Sequence, residues 1–166
     1  MTWWKKGKKS APAQRYLDIK GTAFETKLVA LRPSSAPLWP KDMLGMSMPE
    51  ANAYVNGFTY KGDKPGDDRW KLPDQFFEDG GGDCEDFAIV KYHWARGVVP
   101  VQPLSIAVGL HRFDGYFHAV LVIGAPEVAV VCDNLTDAMI PYRVVVDSLD
   151  IKYRANHIGV MEGSGL

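Results

Sequence analysis

The sequence has few cysteines, no long apolar run and no excess of charge. Its two cysteines, Cys84 and Cys132, cannot build a disulfide scaffold or a four-thiolate zinc site. No apolar stretch approaches the ~18 residues of a membrane-spanning helix. Nineteen Lys+Arg against 20 Asp+Glu leave a net charge of −1. That disfavours a nucleic-acid partner, whose phosphates need clustered excess cation. No repeat or low-complexity linker interrupts the chain. What remains is ordinary globular material, 46% hydrophobic and 23% charged over 166 residues. It amounts to about one domain. A core of this size buries roughly two-thirds of the unfolded surface without a staple.

The basic start, Met1 to Ser10, is not followed by the roughly 7–15 apolar residues of a secretory signal. It reads as a solvated terminus. The alternatives are a cut edge left by a leader, or a membrane-surface contact through Trp3, Trp4 and the lysines. Thr22 to Leu31 reads as a helix, and Arg32 to Pro40, with Pro33, Pro37 and Pro40, as an irregular arm. Met48 to Asn56 reads as a helix with Pro49 in its first turn. Gly57 to Lys71 reads as loop, and Gly80-Gly81-Gly82 as a break in any element. Cys84 to Arg96 reads as a helix ending near Gly97. Leu104 to Leu110, Phe117 to Ile123 and Glu127 to Asp133 are β-branched runs of strand length. Arg143 to Val146 suggests a fourth strand. One helix before an antiparallel meander is an α+β layout.

The stretch from Gly80 to Ala88 is the most informative. Asp83 suits an N-cap, and Asp86 three residues on completes an acidic capping box. Cys84 is then the first helical residue, where unpaired N–H groups and the helix dipole favour a thiolate. The glycines would let a substrate backbone approach. Asp83, Glu85 and Asp86 act against the thiolate, so a cationic histidine or a bound cation must offset them. The plain alternative is a small buried cysteine at a well-capped helix start.

A thiol nucleophile needs a base held by a third group. His93 lies nine residues from Cys84, about 900° and about 13 Å along the same helix, and points away. His157 lies in a tail segment. A two-residue Asp114-Gly115 loop would pair Phe113 with Tyr116 and set His111 opposite His118. A four-residue loop from Gly124 to Glu127 would pair Ile123 with Val128 and set His118 opposite Asp133. A carboxylate beside a base fixes its tautomer and favours its charged form. This selects His118 over His111, provided no one-residue slip turns Asp133 away. Cys132 then faces the other side of the sheet, as a core thiol rather than a disulfide partner of Cys84.

Cys84, His118 and Asp133 occur in the order of the transglutaminase-like superfamily. The runs Val55 to Tyr60, Asp67 to Trp70, Gly81 to Tyr92, His118 to Leu121 and Asp133 to Leu135 resemble the bacterial transglutaminase-like cysteine proteinases, the LapG-type proteases. The resemblance spans roughly residues 50–156. It implies a papain-like α+β core, with the nucleophile helix packed on an antiparallel sheet. It divides the chain into an N-terminal arm over 1–45, part of the same domain, and a protease domain over 46–166. It also implies a Cys-His-Asp triad and a periplasmic location. The implied substrate is a large cell-surface adhesin whose cleavage controls biofilm attachment. Calcium would be bound by Asp83, Glu85 and Asp86, and an inner-membrane receptor would act as inhibitor.

In the expected reaction Cys84 attacks an amide carbonyl, His118 relays the proton and Asp133 orients His118. The oxyanion takes the Cys84 N–H and a second donor from Trp70, Gln75 or Asn56. Two alternatives use the same residues: transamidation or deamidation, and a non-catalytic peptide-binding module. A zinc hydrolase is disfavoured, because no two histidines have helical ligand spacing.

Overall fold

Met48–Asn56 forms helix α1, opened by a capping box between Ser47 and Glu50 and by Pro49 in its first turn, where a missing N–H costs nothing. The computed structural model describes residues 27–32, 35–64, 69–125 and 127–162. The basic start with Trp3 and Trp4, the first part of the helix expected from Thr22, and Asp67-Asp68 lie outside these residues. Leu28, Ala30, Leu31 and Met43 join the core that also holds Met48, Ala51 and Val55 of α1.

Gly57 to Lys71 is not loop throughout. Thr59–Tyr60 forms a short strand, β1. Pro73–Asp79 forms helix α2, an additional element ahead of the glycine run. Its Phe76 is fully buried and meets Phe87 at 4.9 Å between ring centres. Gly81–Gly82 forms β2, parallel to β1, with Thr59 opposite Gly81 and Tyr60 opposite Gly82. The glycine run therefore pairs instead of breaking the chain. Helix α3 covers Cys84–Val98, two residues longer than expected.

A six-stranded antiparallel sheet follows. Its strands are β3 (Leu104–His111), β4 (Phe117–Ile123), β5 (Val130–Asp133), β6 (Thr136–Pro141), β7 (Leu149–Ala155) and β8 (Val160–Glu162). They lie in the order β6-β5-β4-β3-β7-β8. Glu127 and Val128 belong to the turn before β5 rather than to the strand. The expected fourth strand at Arg143 to Val146 is instead helix α4, Tyr142–Ser148. Its sequence is β-branched, but Tyr142 and Val145 are buried at helical spacing against the sheet. Tertiary packing overrides local preference here.

Strand β4 is buried along its whole length because helices cover both faces of the sheet. Phe117, Ala119, Leu121 and Ile123 share a core with α3. Val120 and Val122 share another with Tyr142 and Val145 of α4. Alternation places His118 on the α4 side. Among the described residues no helix is long and apolar enough to cross a membrane.

Candidate active site

The start of α3 is built from the residues before it. Asp83 adopts extended backbone; its Oδ1 accepts from the Asp86 N–H at 3.3 Å. Asp86 Oδ2 accepts from the Asp83 N–H at 3.2 Å. Gly81 has φ +143°, and a Cβ there would sit 1.9 Å from the Thr59 carbonyl oxygen. At Gly82 a Cβ would sit 2.4 Å from Asp86 Oδ2. The glycines thus serve the protein's own β1 backbone and its capping carboxylate, where a role in substrate approach was expected.

Cys84 is the first residue of α3 and is fully buried. Its thiol donates to Glu85 Oε2 at 2.9 Å. It also accepts from the backbone N–H of Ala119, the residue after His118. Burial, the charges of Glu85 and Asp83, and the bond to Glu85 push the thiol well above its ordinary value. The Ala119 N–H works the other way. Burial and carboxylates therefore outweigh the helix start.

His118 Nε2 and Asp133 Oδ1 are 2.7 Å apart, with the side chains 3% and 12% exposed. Burial alone would raise Asp133. The charge and hydrogen bond of His118, the Leu135 N–H and the Lys91 charge together hold it below the ordinary carboxylate value. An ionised carboxylate only accepts, so Nε2 carries a proton toward it and Nδ1 is the nitrogen that remains to act as a base. The structure thus joins His118 and Asp133 side chain to side chain, and brings the Cys84 sulfur to the peptide beside them.

Both expected registers are shifted by two residues. Gly109, not His111, lies opposite His118. Ile123 pairs with Val130, not Val128. Leu121 opposite Cys132 puts Asp133 on the His118 face one step along the strand. An even shift preserves the face, which is why the residues still meet. Cys132 faces the α3 core, and both cysteines are free and buried.

The other histidines are engaged elsewhere. His111 Nδ1 lies 3.3 Å from Asp114 Oδ1. His93 Nε2 meets the Ala30 carbonyl at 2.6 Å, and His157 Nδ1 meets the Tyr92 hydroxyl at 2.8 Å. A cavity of about 160 Å³ opens beside the dyad, lined by His111, His118 and Asp133 and by Ile140, Val144 and Leu149 among its apolar residues.

The oxyanion candidates separate. Gln75 is exposed, and its oxygen accepts from the Leu72 N–H at 3.0 Å, capping α2. Asn56 lies at the site but is committed. Its Nδ2 donates to the carbonyls of Asp133 and Thr136, each at 2.9 Å. Neither placement matches an oxyanion donor. Trp70 is buried in the core shared with α3.

The acidic set also changes. Oxygens of Asp63, Asp83 and Asp86 lie within 4.8 Å of one another. Asp63 was not a sequence candidate; β1 pairing on β2 brings it in. Glu85 points to the thiol and is not in this group. Burial pushes Asp86 up to about 7, against backbone bonds from Lys71 and Asp83. Lys71 Nζ stands 4.0 Å from Asp86 Oδ2 and 3.0 Å from Asp79. Clustered carboxylate oxygens of this kind fit a hard divalent cation.

A family model described as the bacterial transglutaminase-like cysteine proteinases matches residues 43–146. Calcium-bound LapG of Legionella pneumophila is similar in structure, with a TM-score of 0.58 and 26% identity over 92% of this chain and 88% of that one. A second structure of that protein gives a TM-score of 0.60 and 27% identity over 92% and 86%. An EGTA-treated one gives 0.58 and 27% over 95% and 79%. No curated protein matches the chain.

Proposed function

The chain belongs to the bacterial transglutaminase-like cysteine proteinases, a family of cysteine peptidases, and we propose that it cleaves peptide bonds with Cys84, His118 and Asp133. The observation that carries this reading is the His118–Asp133 pair at 2.7 Å, with the Cys84 sulfur at the next peptide of the same strand.

His118 Nδ1 takes the thiol proton while Nε2–H stays on Asp133. The Cys84 sulfur attacks the amide carbonyl, and the Cys84 backbone N–H at the helix start stabilises the oxyanion. With Asn56 and Gln75 committed elsewhere, Trp70 is the remaining second donor of the three. His118 returns the proton to the leaving amine, giving a thioester and a free N-terminus. Water, deprotonated by His118, then releases the acid. The cavity beside His118 would seat a substrate side chain.

Calcium is proposed as the cofactor, held by Asp63, Asp83 and Asp86. Bound there, it would supply positive charge next to a thiol that burial and the carboxylates push up. The similar Legionella protein has been seen in a calcium-bound form. The resemblance extends the reading to a periplasmic enzyme acting on a surface adhesin in biofilm control, inhibited by an inner-membrane receptor. It also extends the domain to residues 46–166 with 1–45 as its arm.

The test is turnover of a fluorescence-quenched peptide library with CaCl2 or EGTA. Wild type should cleave with calcium, and Cys84→Ala should not cleave while keeping its far-UV circular dichroism. Residual cleavage by that variant would refute the nucleophile.

A further inference from the structure

Lys91 is 1% exposed and has no part in the chemistry above. It lies on α3 seven residues after Cys84, about 700° of rotation, so nearly the same side two turns along. A buried ammonium is costly unless its charge and its donors are matched. Its Nζ donates to Asn56 Oδ1 at 2.5 Å. A lysine offers only donors, so Asn56 must turn its oxygen toward α3 and its Nδ2 the other way.

That Nδ2 meets the Asp133 and Thr136 carbonyls and, at 3.1 Å, Asp137 Oδ1. Asn52, one turn earlier on α1, donates to the Asp137 carbonyl at 2.8 Å. The charged or titratable groups around Lys91 are Cys132 and Asp133 of β5 and Asp137 of β6. The Phe87 ring of α3 lies 5.8 Å from Nζ. Burial lowers Lys91 to about 8, and these neighbours act against that shift. Lys91 in turn helps to keep Asp133 ionised.

We propose that Lys91 is a positioning residue: through Asn56 it fixes the end of β5 that carries Asp133, and so holds His118 in the orientation the reaction needs. This rests on the triad reading given above. It makes the nucleophile helix itself the element that sets the acid end of the triad.

Lys91→Met keeps the length of the stem and removes the charge and the donors. Its kcat should fall about tenfold or more, with KM little changed. Losing a cation near Asp133 raises that carboxyl, so the acid limb of kcat should move to higher pH. The His118 Nε2 proton, read by NMR without substrate, should lose its downfield shift. Lys91→Met combined with Asn56→Ala should be no slower than the slower single variant.

Additive losses, an unmoved acid limb or an unchanged Nε2 signal would overturn the proposal. If Lys91→Met does not fold, Asn56→Ala at the half-buried end of α1 must change the Nε2 signal, and failure to do so counts equally against it. Activity in Cys84→Ala or His118→Ala would overturn the triad while the Nε2 reading still decides the role of Lys91. Inactive triad variants with an unchanged Nε2 signal in Lys91→Met overturn the positioning role alone.

Discussion

Replacing Asp133 with asparagine should do far less harm than replacing it with alanine. Both hydrogen bonds of the carboxylate fall on one oxygen: Oδ1 meets His118 Nε2 at 2.7 Å and the Leu135 N–H at 3.0 Å. An asparagine can place its single carbonyl oxygen there, so both bonds and the Nε2–H tautomer survive. What is lost is the charge. A charge-assisted bond contributes about 1.5–3 kcal/mol net, and a neutral one about 0.5–1.5. The difference of about 1–1.5 kcal/mol is roughly a tenfold loss of kcat.

Alanine also leaves the His118 ring unheld and the Leu135 N–H without this acceptor, in a site where side chains are 3% and 12% exposed. With the base no longer held, most of the roughly 10²–10⁴-fold that general-base catalysis contributes to kcat should be lost. The assay is kcat for peptide-library hydrolysis of both variants, with thermal unfolding to confirm the fold. Equal losses would refute the reasoning. They would show that the charge, or the second carboxylate oxygen, matters more than the position of Oδ1.

Four further outcomes follow from the geometry. Exchange of His118 for alanine should be far more damaging to hydrolysis than exchange of His111, whose ring is paired with Asp114; comparable losses would mean the base is misassigned. By calorimetry, Asp63→Ala should weaken calcium binding more than Glu85→Gln, since Asp63 is in the carboxylate group and Glu85 is not; the reverse order would restore Glu85 as a ligand. Gly82→Ala should lower stability by about 1–3 kcal/mol in urea unfolding, from overpacking against the Asp86 carboxylate; an unchanged midpoint would mean the contact relaxes freely. Asp133 lies below its ordinary 3.8, so its stabilisation is complete above that value and lost as pH falls through the lowered one. The melting difference between wild type and Asp133→Asn should therefore shrink as pH falls below 3.8 through the lowered value; a difference growing toward acid would contradict this.

The helix start at Cys84 was legible because its signal is local. Asp83 and Asp86 specify the cap, and a helical run follows. His118 and Asp133 were legible for a different reason. Both expected registers were wrong by two residues, and a period-2 pattern forgives even errors. Asp63 was not legible, because it reaches the acidic group only through parallel pairing of Thr59 and Tyr60 on two glycines. Glycines carry no strand signal. Tyr142 to Ser148 reads locally as strand and is helix, since the decision lies in what Tyr142 and Val145 pack against. Lys91 gives no sign in the sequence of being buried. Its partners, Asn56 and the turn after β5, lie far from it along the chain.

The most direct test of the central claim is covalent trapping with a peptide vinyl sulfone in calcium, followed by peptide mapping. The prediction is a single adduct on Cys84 in the wild type, formed far more slowly in His118→Ala, with Cys132 untouched. An adduct on Cys132, or equal labelling of Cys84 without His118, would contradict a Cys84–His118–Asp133 triad.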